Sequence, residues 1–133
     1  MPTVRSVSRI VLGLAFLAAG ANHFWHPDFY VAIMPPYIPW HRPLVFLSGA
    51  AEMGLGALIF VPRWSRPAAW GLIALLIAVF PANLHMALHT DLFSWASPAA
   101  LWLRLPLQAA LIAWAYWHTR PEPASQATPN RPA

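Results

Sequence analysis

Two opposite charges stand inside apolar stretches of this sequence, and they are the first residues that could do chemistry. Glu52 lies within the run from Leu44 to Phe60, and Arg104 lies within the run that begins at Ala99. A lone charge at membrane depth costs about 2.5–3.5 kcal/mol on insertion scales, so each charge is expected to have a partner. We predict that Glu52 and Arg104 pair, either as a structural ion pair or as part of a site for binding or proton transfer.

Other polar side chains fall at a similar depth in the same apolar stretches. Ser48 lies one helical turn before Glu52 on the same face, and Gln108 lies one turn after Arg104. His23 and Asn83 lie near the outer ends of the first and third stretches. Together they predict a small polar pocket in the outer half of a helix bundle. The candidates for acid–base chemistry are Glu52 and His23, and the candidates for ligand binding are Arg104, Gln108, Asn83 and Ser48.

A histidine pair offers a second kind of chemistry. His85 and His89 have the i, i+4 spacing of two metal ligands on one helix face. No glutamate follows His85 as it does in the H-E-x-x-H arrangement, and the chain has no cysteine to complete a site. We interpret the two histidines as an interfacial pair and keep a role as metal ligands as the alternative.

Composition indicates the environment that must hold these residues. Of the 133 residues, 59% are hydrophobic and 9% are charged, whereas a soluble domain carries about 25% charged residues. The chain is therefore predicted to be an integral membrane protein in contact with the lipid bilayer. The net charge of +4 does not indicate nucleic acid as a partner, because the arginines are scattered at segment ends. The absence of cysteine excludes disulfides and thiolate chemistry.

Four apolar segments are long enough to cross a bilayer as helices. They cover residues 7–25, 44–61, 68–88 and 98–117, close to the roughly 20 residues that a crossing requires. The fold class predicted is all-α, an integral membrane four-transmembrane-helix bundle over residues 1–120. A short interfacial turn is expected at 29–34 within a connector rich in proline. Residues 121–133 are predicted to form a disordered Pro-rich cytoplasmic tail.

The arginines predict how the bundle is oriented. If the segments alternate in direction, one side carries Arg5, Arg9, Arg63, Arg66, Arg120 and Arg131, and the other side's connectors carry Arg42. The positive-inside rule then places both termini in the cytoplasm. Use of arginine without lysine is typical of a GC-rich bacterial genome, so the membrane is predicted to be a bacterial inner membrane. Alternatively, the first segment, which contains Ala19-Gly-Ala21, is a cleaved signal peptide, and three spans remain.

Five short motifs occur in order along the chain: ANHFWHPDFY at 21–30, MPPYIP at 34–39, SGAAE at 48–52, VFPAN at 79–83 and RLPLQ at 104–108. Together they resemble the DoxX-like family of small bacterial membrane proteins over about residues 8–118. The resemblance implies a four-helix membrane bundle. It also implies an association with thiosulfate:quinone oxidoreductase or with other redox systems, but no agreed catalytic residues.

The resemblance and the pocket together lead to several functional expectations. The first is a redox-associated, quinone-linked membrane subunit, with a quinone as cofactor and an oxidoreductase subunit as partner. The second is a membrane enzyme that modifies a lipid or isoprenoid with Glu52 as acid and base. The others are a module that binds or transports a small anion at Arg104, and a non-catalytic ligand-binding or assembly subunit. Whether the protein is an enzyme, and whether it forms a homo-oligomer, stays open.

Overall fold

The computed structural model describes residues 3–121, and the regular structure in this range is helical. In chain order the helices are α1 (Val4–Trp25), α2 (Pro27–Ile33), α3 (His41–Leu58), α4 (Ser65–Leu88) and α5 (Pro98–Thr119), with a 3-10 turn at Thr90–Leu92 before α5. No strand occurs between residues 3 and 121, and the all-α prediction is confirmed.

Three of the helices are long and apolar enough to cross a membrane, judged by length and composition: α1, α4 and α5. Three such helices indicate a multi-pass membrane protein. The predicted second span, α3, is not among these three helices. Its 18 residues include His41, Arg42 and Glu52, which lower its mean hydropathy. Length and hydropathy thus support three of the four predicted spans.

The helices α1, α3 and α4 begin about one turn earlier than the apolar segments predicted. α1 starts at Val4 rather than residue 7, because the Thr3 hydroxyl accepts a hydrogen bond from the Ser6 N–H and caps the helix. α5 starts as predicted at Pro98, where Ser97 caps it and proline occupies the first turn. The predicted interfacial turn at 29–34 lies mostly within α2. The predicted tail lies outside the described residues, apart from Pro121.

Glycines bring α1 and α3 together at two levels of an antiparallel pair. A Cβ built on Gly20 would lie 2.7 Å from the carbonyl oxygen of Gly49, and a Cβ built on Gly56 would lie 3.0 Å from the carbonyl oxygen of Gly13. Small residues allow such close backbone packing between membrane helices. Gly54 on α3 is exposed, and a Cβ built on it would have no atom within 4 Å.

The other long helices form a second antiparallel pair, α4 with α5, and α3 also packs against α4. The main apolar core joins the pairs through buried side chains such as Leu12, Ile59, Leu72 and Ala115. A smaller core around Met86 and Leu101 lies near α2. Between α2 and α3, Trp40 has a φ of 55°, a left-handed conformation that turns the chain into α3. The segment from α2 to Trp40 thereby covers one end of the bundle.

Candidate functional site

A cavity of about 620 Å³ lies at the end of the bundle that α2 covers. α1, α3, α4 and α5 form its walls, and the segment from Tyr30 to Ile38 forms its roof. Most of its lining is apolar, including Ile33, Leu44 and Val79. Five of the six candidate site residues line it, namely His23, Ser48, Glu52, Asn83 and Arg104. The remaining one, Gln108, is buried directly behind Asn83. Their role as a functional site stays a prediction.

Glu52 meets His23 in this cavity. The His23 Nδ1 atom lies 3.1 Å from Glu52 Oε2 and 2.8 Å from the carbonyl oxygen of Ala19. A single N–H cannot point at both oxygens, and its geometry favours the Ala19 carbonyl. Glu52 Oε2 is therefore buried without a hydrogen-bond donor among the described residues. Such an acceptor costs about 1–3 kcal/mol when left unsatisfied.

The His23 ring is held in place from the roof of the cavity. Tyr30 stacks on it with ring centroids 3.8 Å apart and an angle of 15° between the planes. The Asn22 side-chain amide donates to the Tyr30 hydroxyl at 2.7 Å. Together with the bond to Ala19, this stack fixes which ring edge faces Glu52. α2 therefore positions the polar end of the cavity as well as covering it.

Arg104 belongs to a separate polar chain that joins α5 to α4. Its Nε donates to the Asn83 side-chain oxygen at 3.1 Å, and the Asn83 amide donates to Gln108 Oε1 at 2.6 Å. The Gln108 amide in turn donates to the backbone carbonyl of Leu76. α4 and α5 continue through Pro81 and Pro106 without a break.

The predicted pairing of Glu52 with Arg104 is wrong. Among the described residues Glu52 lies against His23, with Nδ1 3.1 Å from Oε2, and Arg104 makes its hydrogen bond to Asn83. The physical reason is helix adjacency: α3 packs mainly on α1, while α5 packs mainly on α4. The two charges line the same cavity but approach it from different helix pairs.

His85 and His89 lie close together outside the cavity. Their ring centroids are 4.6 Å apart, and His89 Nδ1 lies 3.0 Å from the backbone carbonyl of His85. Phe93 packs edge-on against His85. Within residues 3–121 no group of three or more metal-ligating side chains comes together, so a metal-ligand role for the pair stays a prediction.

A second polar cluster, which sequence reasoning missed, lies at the opposite end of the bundle. The Trp114 indole donates to Ser8 Oγ at 2.7 Å, and His118 Nε2 lies 3.0 Å from the same hydroxyl. His118 is buried. Nearby, Arg5 donates to carbonyls at the end of α5, including that of Trp117 at 3.1 Å, which suits a cation at a helix C-terminus. The available sequence signal was a polar residue on each of two facing helix ends.

These features define a class: an all-α membrane protein with a roofed, mostly apolar cavity and polar groups at one end. More particularly, the chain belongs to the family described as "Domain of unknown function (DUF8561)", whose model matches residues 12–119. The DoxX-like resemblance is therefore corrected: the family match is to DUF8561, with none to DoxX. No curated protein and no solved structure matches this chain.

Proposed function

We propose that this protein is a bacterial inner-membrane bundle in which α3 crosses the bilayer together with α1, α4 and α5. The glycine contacts of α3 with α1 support this, because Gly49 and Gly56 hold the two helices together at two levels about two turns apart. So does the position of Glu52, which faces His23 and the cavity rather than lipid. The positive-inside rule supports cytoplasmic termini, since Arg5, Arg63 and Arg66 all belong to the same end of the bundle.

The absence of native cysteine allows a direct test of this topology. A Tyr37→Cys variant is expected to react with a membrane-impermeant maleimide in intact spheroplasts. A Trp64→Cys variant is expected to react only after the membrane is permeabilised. Both native side chains are exposed, so each new thiol is accessible in the folded protein. Labelling of both variants in intact spheroplasts would contradict four spans.

We propose further that the cavity binds a small amphipathic ligand that enters from the lipid phase. The observation that carries this proposal is the buried Glu52 Oε2, to which no residue between 3 and 121 donates, in a largely apolar cavity of about 620 Å³. Cavities of about 300–1,000 Å³ are typical of small-molecule sites. Ionisable residues inside a membrane protein are costly and are functional candidates by default. A ligand head that donates to Glu52 removes that cost while the ligand's tail occupies the apolar part.

The more specific expectations from sequence all depend on this binding step. A quinone-linked redox role requires a quinone head group in the cavity and an oxidoreductase partner subunit. A lipid- or isoprenoid-modifying enzyme requires its substrate at Glu52 with an exchangeable proton. Both stay proposals, and ligand binding is the proposal that the geometry supports best.

A cavity-filling substitution with a matched neighbour tests ligand binding. Ala51 lines the cavity, whereas Ala50 is exposed on the outer surface of the same helix. The protein is purified in mild detergent, and bound small molecules are identified by native mass spectrometry and solvent extraction. We expect a bound amphipathic molecule in the wild type and in Ala50→Trp, and its loss in Ala51→Trp. Equal lipid content in all three proteins would contradict the proposal.

A further inference from the structure

The two polar ends of the cavity define the head group of its ligand. Resting on the proposed ligand site, we infer that this head group is uncharged, with a hydroxyl that donates to Glu52 and a separate oxygen that accepts from Arg104. The inference comes from which hydrogen-bonding positions the protein itself leaves unused.

Glu52 sets the first requirement, which is a donor. Its Oε2 atom is buried, and the nearest protein N–H, on His23 Nδ1, is directed at the Ala19 carbonyl. The bond to Ala19 and the stacked Tyr30 ring hold the imidazole in this orientation, with its N–H on the Ala19 carbonyl rather than on the carboxyl group. A ligand hydroxyl at this position satisfies the acceptor, whereas an ether or ketone oxygen there adds a second acceptor and satisfies nothing.

Arg104 sets the second requirement, which is an acceptor. Its Nε is committed to Asn83 at 3.1 Å, while no described residue accepts from its two terminal amino groups. Asn83 is fixed in turn by Gln108, so the guanidinium keeps its orientation towards the cavity. A carbonyl or hydroxyl oxygen of the ligand can accept a hydrogen bond from either of these amino groups.

The presence of both signs of charge on one cavity argues for an uncharged head. An anionic head suits Arg104 but meets the Glu52 carboxyl group, and a cationic head has the converse problem. A zwitterionic head brings two further charges into a mostly apolar cavity, and desolvating each of them is expensive. A neutral head with one donor and one acceptor meets both requirements without that cost.

Three matched probes separate the two contacts. They are 4-hydroxyphenyl nonyl ketone, its methyl ether, and 4-decylphenol, which lacks the carbonyl. Equilibrium affinities are measured on the full chain in lipid nanodiscs. On the wild type we expect the methyl ether to bind about 10- to 100-fold more weakly than the hydroxy ketone, because Glu52 then stays without a donor. We expect 4-decylphenol to be weaker by a similar factor.

Two variants assign each loss to its residue. In Glu52→Leu the hydroxy ketone and its methyl ether should bind equally, while 4-decylphenol keeps its deficit. In Arg104→Met the hydroxy ketone and 4-decylphenol should bind equally, while the methyl ether keeps its deficit. Asp91→Asn, an exposed acid on the 3-10 turn, is the control and should leave all ratios unchanged. If a variant fails to fold, the three probes on the wild type still decide the question.

The outcomes distinguish this inference from the proposed function. Equal binding of hydroxy ketone and methyl ether to the wild type overturns the head-group inference while the ligand site stands. Tighter binding of decylamine, decanoate or a short-chain phosphatidylethanolamine than of the hydroxy ketone also overturns it, in favour of a charged or zwitterionic ligand. Failure of every probe, together with clean protein in the extraction experiment, counts against the ligand site itself.

Discussion

The close packing of α1 on α3 can be tested at Gly20. A Cβ on this residue would lie 2.7 Å from the Gly49 carbonyl oxygen and 2.8 Å from the Met53 backbone nitrogen. Both atoms are backbone, so neither can rotate away as a flexible side chain would. In Gly20→Ala the two helices must therefore separate.

The size of the effect follows from these distances. Ordinary van der Waals contact begins at 3.4 Å, so a 2.7 Å approach requires the helices to part locally by about 0.7 Å. Overpacking of this kind costs about 1–3 kcal/mol, and we expect Gly20→Ala to lower the free energy of unfolding by about 2 kcal/mol. Gly54→Ala is the control, because a Cβ on Gly54 would have nothing within 4 Å. There alanine's better helix propensity is worth up to about 1 kcal/mol in the opposite direction.

Reversible unfolding in mixed micelles, followed by circular dichroism, measures both variants. The same separation should weaken ligand binding in Gly20→Ala, because it moves His23 away from Glu52, now 3.1 Å apart. Gly54→Ala should bind ligand as the wild type does. If the two variants unfold within about 0.5 kcal/mol of each other, less than the overpacking cost, then α1 and α3 do not approach through these glycines and the reasoning fails.

Three further substitutions are expected to change the free energy of unfolding by different amounts, and the same unfolding assay measures them. Gln108→Leu removes the bonds to Asn83 and the Leu76 carbonyl and should lower the free energy of unfolding by about 1–3 kcal/mol. An unchanged free energy of unfolding would mean that these hydrogen bonds do not join α4 to α5. Ser8→Ala removes the acceptor of the Trp114 indole, costs about 1 kcal/mol and shifts the indole N–H NMR signal, whereas an unmoved signal would contradict that bond. Asp28 accepts from Arg42 in a surface ion pair, and Asp28→Asn should change stability by less than about 0.5 kcal/mol because the carboxylate is 87% exposed. A larger loss would give this surface pair a structural role.

The helices themselves were predictable because apolar length and local capping determine them. Thr3 and Ser97 supply hydroxyl caps that are visible in the sequence before the first and the fourth apolar runs. The starts of α1, α3 and α4 lie about one turn before the predicted ones, since polar residues such as Arg5 and Arg66 extend the helix beyond the apolar segment. Membrane crossing is harder to predict for α3, because the helix is long enough but its polar residues lower its mean hydropathy.

The partners of the charged residues were not predictable from depth and spacing. These patterns bring Glu52 and Arg104 to one level but do not say which helices are neighbours. Adjacency depends on packing contacts between residues far apart in sequence, such as Gly20 with Gly49. The second polar cluster was missed for the same reason, since Ser8 and Trp114 meet only because the start of α1 lies beside the end of α5.

The separation of the two charges gives the cavity a property that a direct ion pair would remove. Glu52 and His23 belong to the α3–α1 pair, and Arg104 and Asn83 belong to the α5–α4 pair. If Glu52 and Arg104 bonded to each other, both would be satisfied without a ligand. Because they do not, Glu52 Oε2 and the terminal amino groups of Arg104 both belong to the lining of one cavity with no hydrogen-bond partner in the described part of the chain. A ligand that bonds to both therefore joins the two helix pairs, so that binding should also stabilise the bundle.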